Sequence, residues 1–174
     1  MDNSAYFFDL AHGDEEKRDF FFLDNVLKAR IDLNLETGCN GENDEATNVY
    51  LAGLLESLTQ SGGVLAVKPY ISPYDADVRA YLEKFPGTRN EFVVYKDNAD
   101  FGLMSVSVFT GYEHEGSYYN KVLADRDESG RIAIYYELAA GALAHLQNSR
   151  VMLVDTFYYM AEHIDQVVQI TRKV

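Results

Sequence analysis

The chain has a single cysteine, three prolines and no tryptophan. Cys39, being alone, excludes an intramolecular disulfide and a thiolate metal cluster. No run of 18 apolar residues occurs, which argues against a membrane-spanning helix. The first residues lack the basic region and long apolar run of a signal peptide, because Asp2, Asp9, Asp14, Glu15 and Glu16 crowd them. Basic residues are also scarce, 15 against 28 acidic ones, for a formal charge of −13. Lys68, Arg79, Arg89, Lys96, Arg126 and Arg131 are scattered, and Arg172 with Lys173 makes only a basic tip. Such a balance repels nucleic acid and anionic lipid, so neither is expected as a partner. A cytoplasmic protein is the expectation.

Motif absences narrow the chemistry. There is no Gly-x-Ser-x-Gly, and Gly62-Gly63 has neither the spacing nor the following lysine of a phosphate cradle. Glu113-His114-Glu115-Gly116 is not His-Glu-x-x-His, and no Glu-x-x-His of a di-metal bundle occurs.

What the chain does have is a 47% hydrophobic content, 13 tyrosines and 10 phenylalanines in 174 residues. That is enough to bury a core without metals or disulfides, and it predicts a single helical domain over 1–174. The clearest pattern runs from Arg131 to Val168. Ile132, Tyr135, Tyr136, Ala139, Ala142, Leu143 and Leu146 recur at spacings of three and four; Val154, Phe157, Tyr158, Ala161, Ile164 and Val168 repeat the habit. Asn148 and Ser149 interrupt them as a turn. The spacing predicts a helical hairpin with two apolar faces, which other helices must cover.

Earlier segments supply those helices. Asp14 to about Glu36 carries a stripe of Phe20, Leu23, Val26 or Leu27, Ile31 and Leu35, ended by Gly38 and Gly41. Asp44 to Ser61 carries Val49, Ala52 and Leu55 with Tyr50, Leu51, Leu54 and Leu58, before Gly62 and Gly63. Ser72 as cap and Pro73 at the first helical position start a third helix, with Tyr74, Val78, Tyr81, Leu82 and Phe85. Between Glu91 and Gly111, Phe92 to Tyr95 and Ser105 to Phe109 have strand-like character. Asn98 or Asp100 capping a helix through Phe101, Met104, Val108 and Phe109 is preferred, since a lone hairpin is marginal. Ser117 caps a further helix bearing Tyr118, Tyr119, Val122 and Leu123. The sum is an all-α, compact bundle of about six helices, with the C-terminal hairpin at its centre.

Three segments resemble landmarks of a family of uncharacterised bacterial, mainly helical proteins. Tyr50-Leu51-Ala52-Gly53-Leu54-Leu55 is similar to its tyrosine-leucine-x-x-leucine-leucine signature. The run Phe101-Gly102-Leu103-Met104-Ser105-Val106-Ser107-Val108-Phe109 resembles its apolar segment, with Ser107-Val108-Phe109 where a glycine and paired phenylalanines are usual. Tyr135-Tyr136, Gly141-Ala142-Leu143 and Leu146 are close to its paired-tyrosine arrangement, with Leu143 in place of an aromatic. The resemblance covers roughly 45–165. It implies a mainly helical fold, including a helix over 98–109, and brings no reaction with it.

Two functional readings remain. Glu137 and His145 stand eight apart on one helical face, and Glu162 or His163 on the partner helix can complete a carboxylate and imidazole cluster suited to zinc or iron. Surface residues flanking an apolar stripe explain the same letters. His114 between two glutamates reads as a solvated turn, and Cys39 as a free thiol without a neighbouring base. The tyrosines are more informative. Tyr118-Tyr119, Tyr135-Tyr136 and Tyr158-Tyr159 are adjacent pairs, and helical neighbours point about 100° apart, so one ring can enter the core while the other lies at its boundary. Boundary hydroxyls suit a seam or groove. The leading expectation is a non-enzymatic module that self-associates as a homo-oligomer and binds another protein, through Tyr118, Tyr135, Tyr136, Tyr158 and Tyr159. The alternative is a small metal- or ligand-binding enzyme or sensor using Glu137, His145, Glu162 and His163. No cofactor is implied.

Overall fold

The computed structural model describes residues 15–35, 42–60, 68–108, 128–146 and 151–174. Among these it is all-α, with seven helices and no strand: α1 Glu15–Asp32, α2 Glu42–Ser57, α3 Asp75–Lys84, α4 Thr88–Ser107, α5 Glu128–Ala144, α6 Val151–Glu162 and α7 Ile164–Lys173. Residues 1–66 with 173–174 form one compact unit and residues 67–172 another. No described helix is long and apolar enough to cross a membrane.

In the first unit α1 packs against α2. The stop of α1 differs from the expected glycines. Asn34 takes the left-handed conformation, φ 54°, while its N–H reaches the Ile31 carbonyl (3.0 Å) and the Leu35 N–H reaches that of Arg30 (2.9 Å). This is a Schellman turn, which asparagine can make because it tolerates positive φ better than other non-glycine residues. The inner face of α1 also differs from the expected stripe. Phe22, Val26, Ala29 and Arg30 are buried, whereas Phe20 and Ile31 stand in solvent. Arg30 turns the helix this way: its Nε donates to Asn48 Oδ1 at 2.6 Å and its Nη1 lies 3.2 Å from Asp44 Oδ1. A buried guanidinium needs such partners. On α2, Thr47, Asn48, Leu51, Ala52, Leu54 and Leu55 are buried, but Val49 is exposed. The helix ends at Ser57, before the expected Ser61, in tightened turns where the Ser57 and Thr59 hydroxyls donate to the Leu54 and Glu56 carbonyls.

In the second unit α3 starts later than Ser72-Pro73 suggests. Tyr74 occupies the cap position, and Ser72 Oγ instead accepts from the Tyr74 N–H (3.1 Å) and donates to Asp77 Oδ2 (2.7 Å). Gly87, at φ 142°, then makes the corner into α4 that an L side chain rarely adopts. The ambiguous stretch is helical as far as Ser107 and belongs to the 20-residue α4, while Phe109 to Gly111 lie outside the described residues. Asn98 and Asp100 do not cap it; both are buried in its middle. Asn98 Nδ2 donates to the carbonyls of Val94 (2.8 Å) and Tyr70 (3.0 Å), and its Oδ1 accepts from the Ser72 N–H (3.1 Å). One amide thus binds the 70–72 segment along α4, satisfying backbone groups that burial would otherwise orphan.

Helix α5 packs most extensively on α4 and next on α6, so the predicted hairpin is present with α4 as its main cover. Its second arm breaks at His163, dividing α6 from α7. There the His163 ring stacks on Tyr159 at 4.2 Å between centroids. Val78, Val94, Leu103, Met104, Ile132, Tyr136, Phe157 and Met160 are among the core of this unit, with Tyr136 stacked on Phe157 at 5.7 Å. Helix α4 approaches α5 closely at Gly102, where an added Cβ would lie 2.9 Å from Ile132 Cγ1. Gly53 on α2 is the opposite case, with nothing within 4 Å of a Cβ. Gly102→Val is therefore expected to lower unfolding stability by about 1–3 kcal/mol through overpacking. Gly53→Ala is expected to raise it by roughly 0.5–1 kcal/mol through helix propensity alone. Urea titrations of the two variants check both signs.

Candidate functional site

Two features of the second unit bear on function: a buried polar network and an exposed apolar face. The network begins at Asp100, a carboxylate buried within α4. Lys96 Nζ, one turn earlier, lies 2.6 Å from its Oδ2, and the Tyr136 hydroxyl donates to its Oδ1 at 2.9 Å. Lys96 also faces Asp97 at 3.7 Å, and Asp97 Oδ2 accepts from Lys68 and from the Tyr70 hydroxyl, both at 2.7 Å. Burial pushes the Lys96 ammonium toward neutrality, but the carboxylates of Asp100 and Asp97 overcome it and raise its pKa. Burial, with Asp100 beside it, holds the Tyr136 phenol well above its ordinary value.

The second part centres on Arg131. Its Nε donates to Asp75 Oδ1 (2.7 Å), Nη1 to Glu128 Oε1 (2.9 Å) and Nη2 to the Ser72 carbonyl (2.6 Å). The Tyr135 hydroxyl donates to the same Asp75 oxygen at 2.7 Å, and the guanidinium carbon sits 4.7 Å from the Tyr135 ring centre. Burial alone would raise the Asp75 carboxyl, yet the hydrogen bonds from Arg131 and Tyr135 lower it below 3.8. Burial and Asp75 raise the Tyr135 phenol. Glu128 Oε2 and Ser107 Oγ are buried without a hydrogen-bond partner among the described residues. Otherwise the polar groups described here face one another. The network thus uses its charges to tie the 68–72 segment, α3, α4 and α5 together.

The candidate residues read from the sequence are distributed differently from the expectation. Tyr135 and Tyr136 are both buried, so that pair has no boundary ring: each hydroxyl is drawn inward by a carboxylate, Asp75 or Asp100. Tyr158 is 45% exposed. Tyr159 is half-buried on His163. Tyr118, Cys39 and His114 lie outside the described residues. Glu137, His145 and Glu162 are exposed, while His163 is half-buried with Nδ1 3.0 Å from the Tyr159 carbonyl oxygen. Among the described residues no three His, Cys, Asp or Glu side chains come together so as to hold a metal ion.

The exposed face contains residues the periodicity passed over. Ile134 (55% exposed) and Leu138 (41%) stand one turn apart on α5, on the side away from Ile132, Tyr136 and Leu143. Across from them, the Tyr158 hydroxyl of α6 lies 3.9 Å from where a Gly141 Cβ would be, so its ring reaches over α5 one turn beyond Leu138. The exposed carboxylates Glu137, Asp155 and Glu162 belong to the same two helices. Neither helix contributes a free cation: α6 has no Lys or Arg, and the Arg131 of α5 is held in the network. The available signal was Ile134 and Leu138 themselves, apolar residues four apart and outside the core stripe. Comparison of the chain with protein-family models, curated proteins and solved structures finds no match.

The Asp75 contact makes a testable contribution. Its carboxyl is depressed in the folded chain, so its stabilisation is fully present above pH 3.8 and is lost as pH falls through the lowered value. Asp75→Asn is expected to reduce the denaturation midpoint at pH 7, and its difference from the native chain should shrink below pH 3.8. Urea midpoints measured between neutral and strongly acid pH check this; a difference independent of pH would show that the ion pair does not contribute.

Proposed function

We propose that the chain is a protein-interaction module whose α5–α6 face receives an amphipathic helix carrying lysine and arginine beside its apolar stripe. The observation that carries the reading is the exposure of Ile134, Leu138 and Tyr158 on neighbouring helices that also carry the exposed carboxylates Glu137, Asp155 and Glu162. Apolar surface left in water has a free-energy cost of about 25 cal/mol per Å², which a docked helix removes. Helix-in-groove recognition uses anchors at intervals of three and four residues, the spacing that Ile134 and Leu138 present in reverse.

Charge selects the partner. A second copy seated on this face would bring the same carboxylates toward their counterparts, whereas a cationic helix would neutralise them. The homo-oligomer expected from the sequence is therefore the competing occupant here, and a cationic protein segment the favoured one. The face keeps Tyr158, Glu137 and Glu162 of the earlier candidates as ring and rim, and assigns them to docking instead of metal binding.

A labelled model helix of leucine and lysine, with leucines at helical spacing, serves as the probe in fluorescence anisotropy. It is expected to bind the native chain, and Leu138→Glu should weaken it at least about tenfold, equivalent to 1.4 kcal/mol. Reversing the rim with Glu137→Lys, Asp155→Lys and Glu162→Lys should weaken it likewise, with circular dichroism confirming that the helices remain. Equal binding of a leucine-glutamate helix, or indifference to these changes, would defeat the proposal. Loss of a native dimer on Leu138→Glu would give the face to a second copy.

A further inference from the structure

The first unit carries its own exposed apolar face, and its charges have a different pattern. On α1, Phe20, Asp24, Leu27 and Ile31 follow at steps of four, three and four, which places them along one side of the helix. This is the seam spacing of paired helices. The side opposite holds Phe22, Val26 and Ala29, so the stripe is not the one that packs inside the unit. Phe20 is 74% exposed and Ile31 61%. Asp24 lies at the edge of the stripe, exposed, with Lys28 one turn on as its ion-pair partner in the same helix.

We infer that the Phe20–Asp24–Leu27–Ile31 stripe is the seam of a homodimer, formed by α1 of a second copy running antiparallel. Charge complementarity selects both the occupant and the direction. A parallel partner would set Asp24 against its own equivalent. An antiparallel one, centred between Asn25 and Val26, sets Phe20 against the second copy's Ile31 and brings Asp24 within one residue step of the second copy's Lys28. By symmetry Lys28 then meets the second copy's Asp24. Asp24 and Lys28 are of opposite sign, so the pair is complementary to itself when reversed, which the α5–α6 face, anionic on both helices, is not. This interface is independent of the docking function proposed above and uses none of its residues.

Sedimentation velocity on the full chain tests it. The native chain is expected to dimerise. Lys28→Glu and Asp24→Lys should each raise the dimer dissociation constant at least about tenfold, because each sets like charges together twice across the two-fold axis. An equimolar mixture of the two variants should restore a dimer, since every facing pair is then of opposite sign. That recovery also separates the effect from any weakening of α1 by loss of its internal ion pair. Phe20→Glu should abolish dimerisation, and Leu138→Glu should leave it intact. A monomer at the highest soluble concentration, a dimer indifferent to both charge variants, a mixture that stays monomeric, or a dimer dissolved by Leu138→Glu would each overturn the inference.

Discussion

The second unit depends on the need to pair a carboxylate that its own helix buries. Asp100 sits in the middle of α4 at 1% exposure, where an unpaired charge would cost several kcal/mol. Lys96 answers it from the preceding turn and Tyr136 from α5. A hydroxyl that must meet one oxygen permits little sliding of α5 along α4, so the bond fixes the register in which Ile132 crosses Gly102. The stacking of Tyr136 on Phe157 carries the same register on to α6.

Much of this was legible in the sequence and some was not, for reasons that can be assigned. The all-α class and the hairpin followed from apolar spacing, which burial enforces regardless of detail. The long α4 was harder, because Asn98 and Asp100 belong to residue types that favour caps and turns. Their side chains bond partners from residues 70–72 and from Tyr136, distant in the chain, and no local pattern announces that. The same cause misplaced the inner face of α1. Arg30 belongs to a residue class that ordinarily faces water, and only its pairing with Asn48 and Asp44 shows why it points inward and sends Phe20 and Ile31 out.

The site was half legible. Adjacent tyrosines gave no indication of which ring would be exposed, and in Tyr135-Tyr136 both were taken inward by carboxylates from other helices. Tyr158 has no such carboxylate among its described partners, and its hydroxyl lies over α5 at Gly141, 3.9 Å from where a Cβ would be. A residue left out of the core stripe was therefore the better guide to a surface: Ile134 and Leu138 are exposed on the side of α5 whose following turn, at Gly141, meets the Tyr158 hydroxyl.

Arg131 has a consequence for how the unit comes apart. Helix α3 has ten residues, a length at which an isolated helix in water is marginal. One guanidinium ties its first residue, Asp75, and the Ser72 carbonyl just ahead of it to Glu128 and Tyr135 of α5. Peeling α3 away would strip Arg131 of two ligands at once and leave the cation only Glu128 and Tyr135 of its own helix as partners. A helix too short to stand by itself is thereby enrolled in the cooperative opening of its neighbours, so that amide protection along α3 reports the stability of the whole unit and not of its own ten residues.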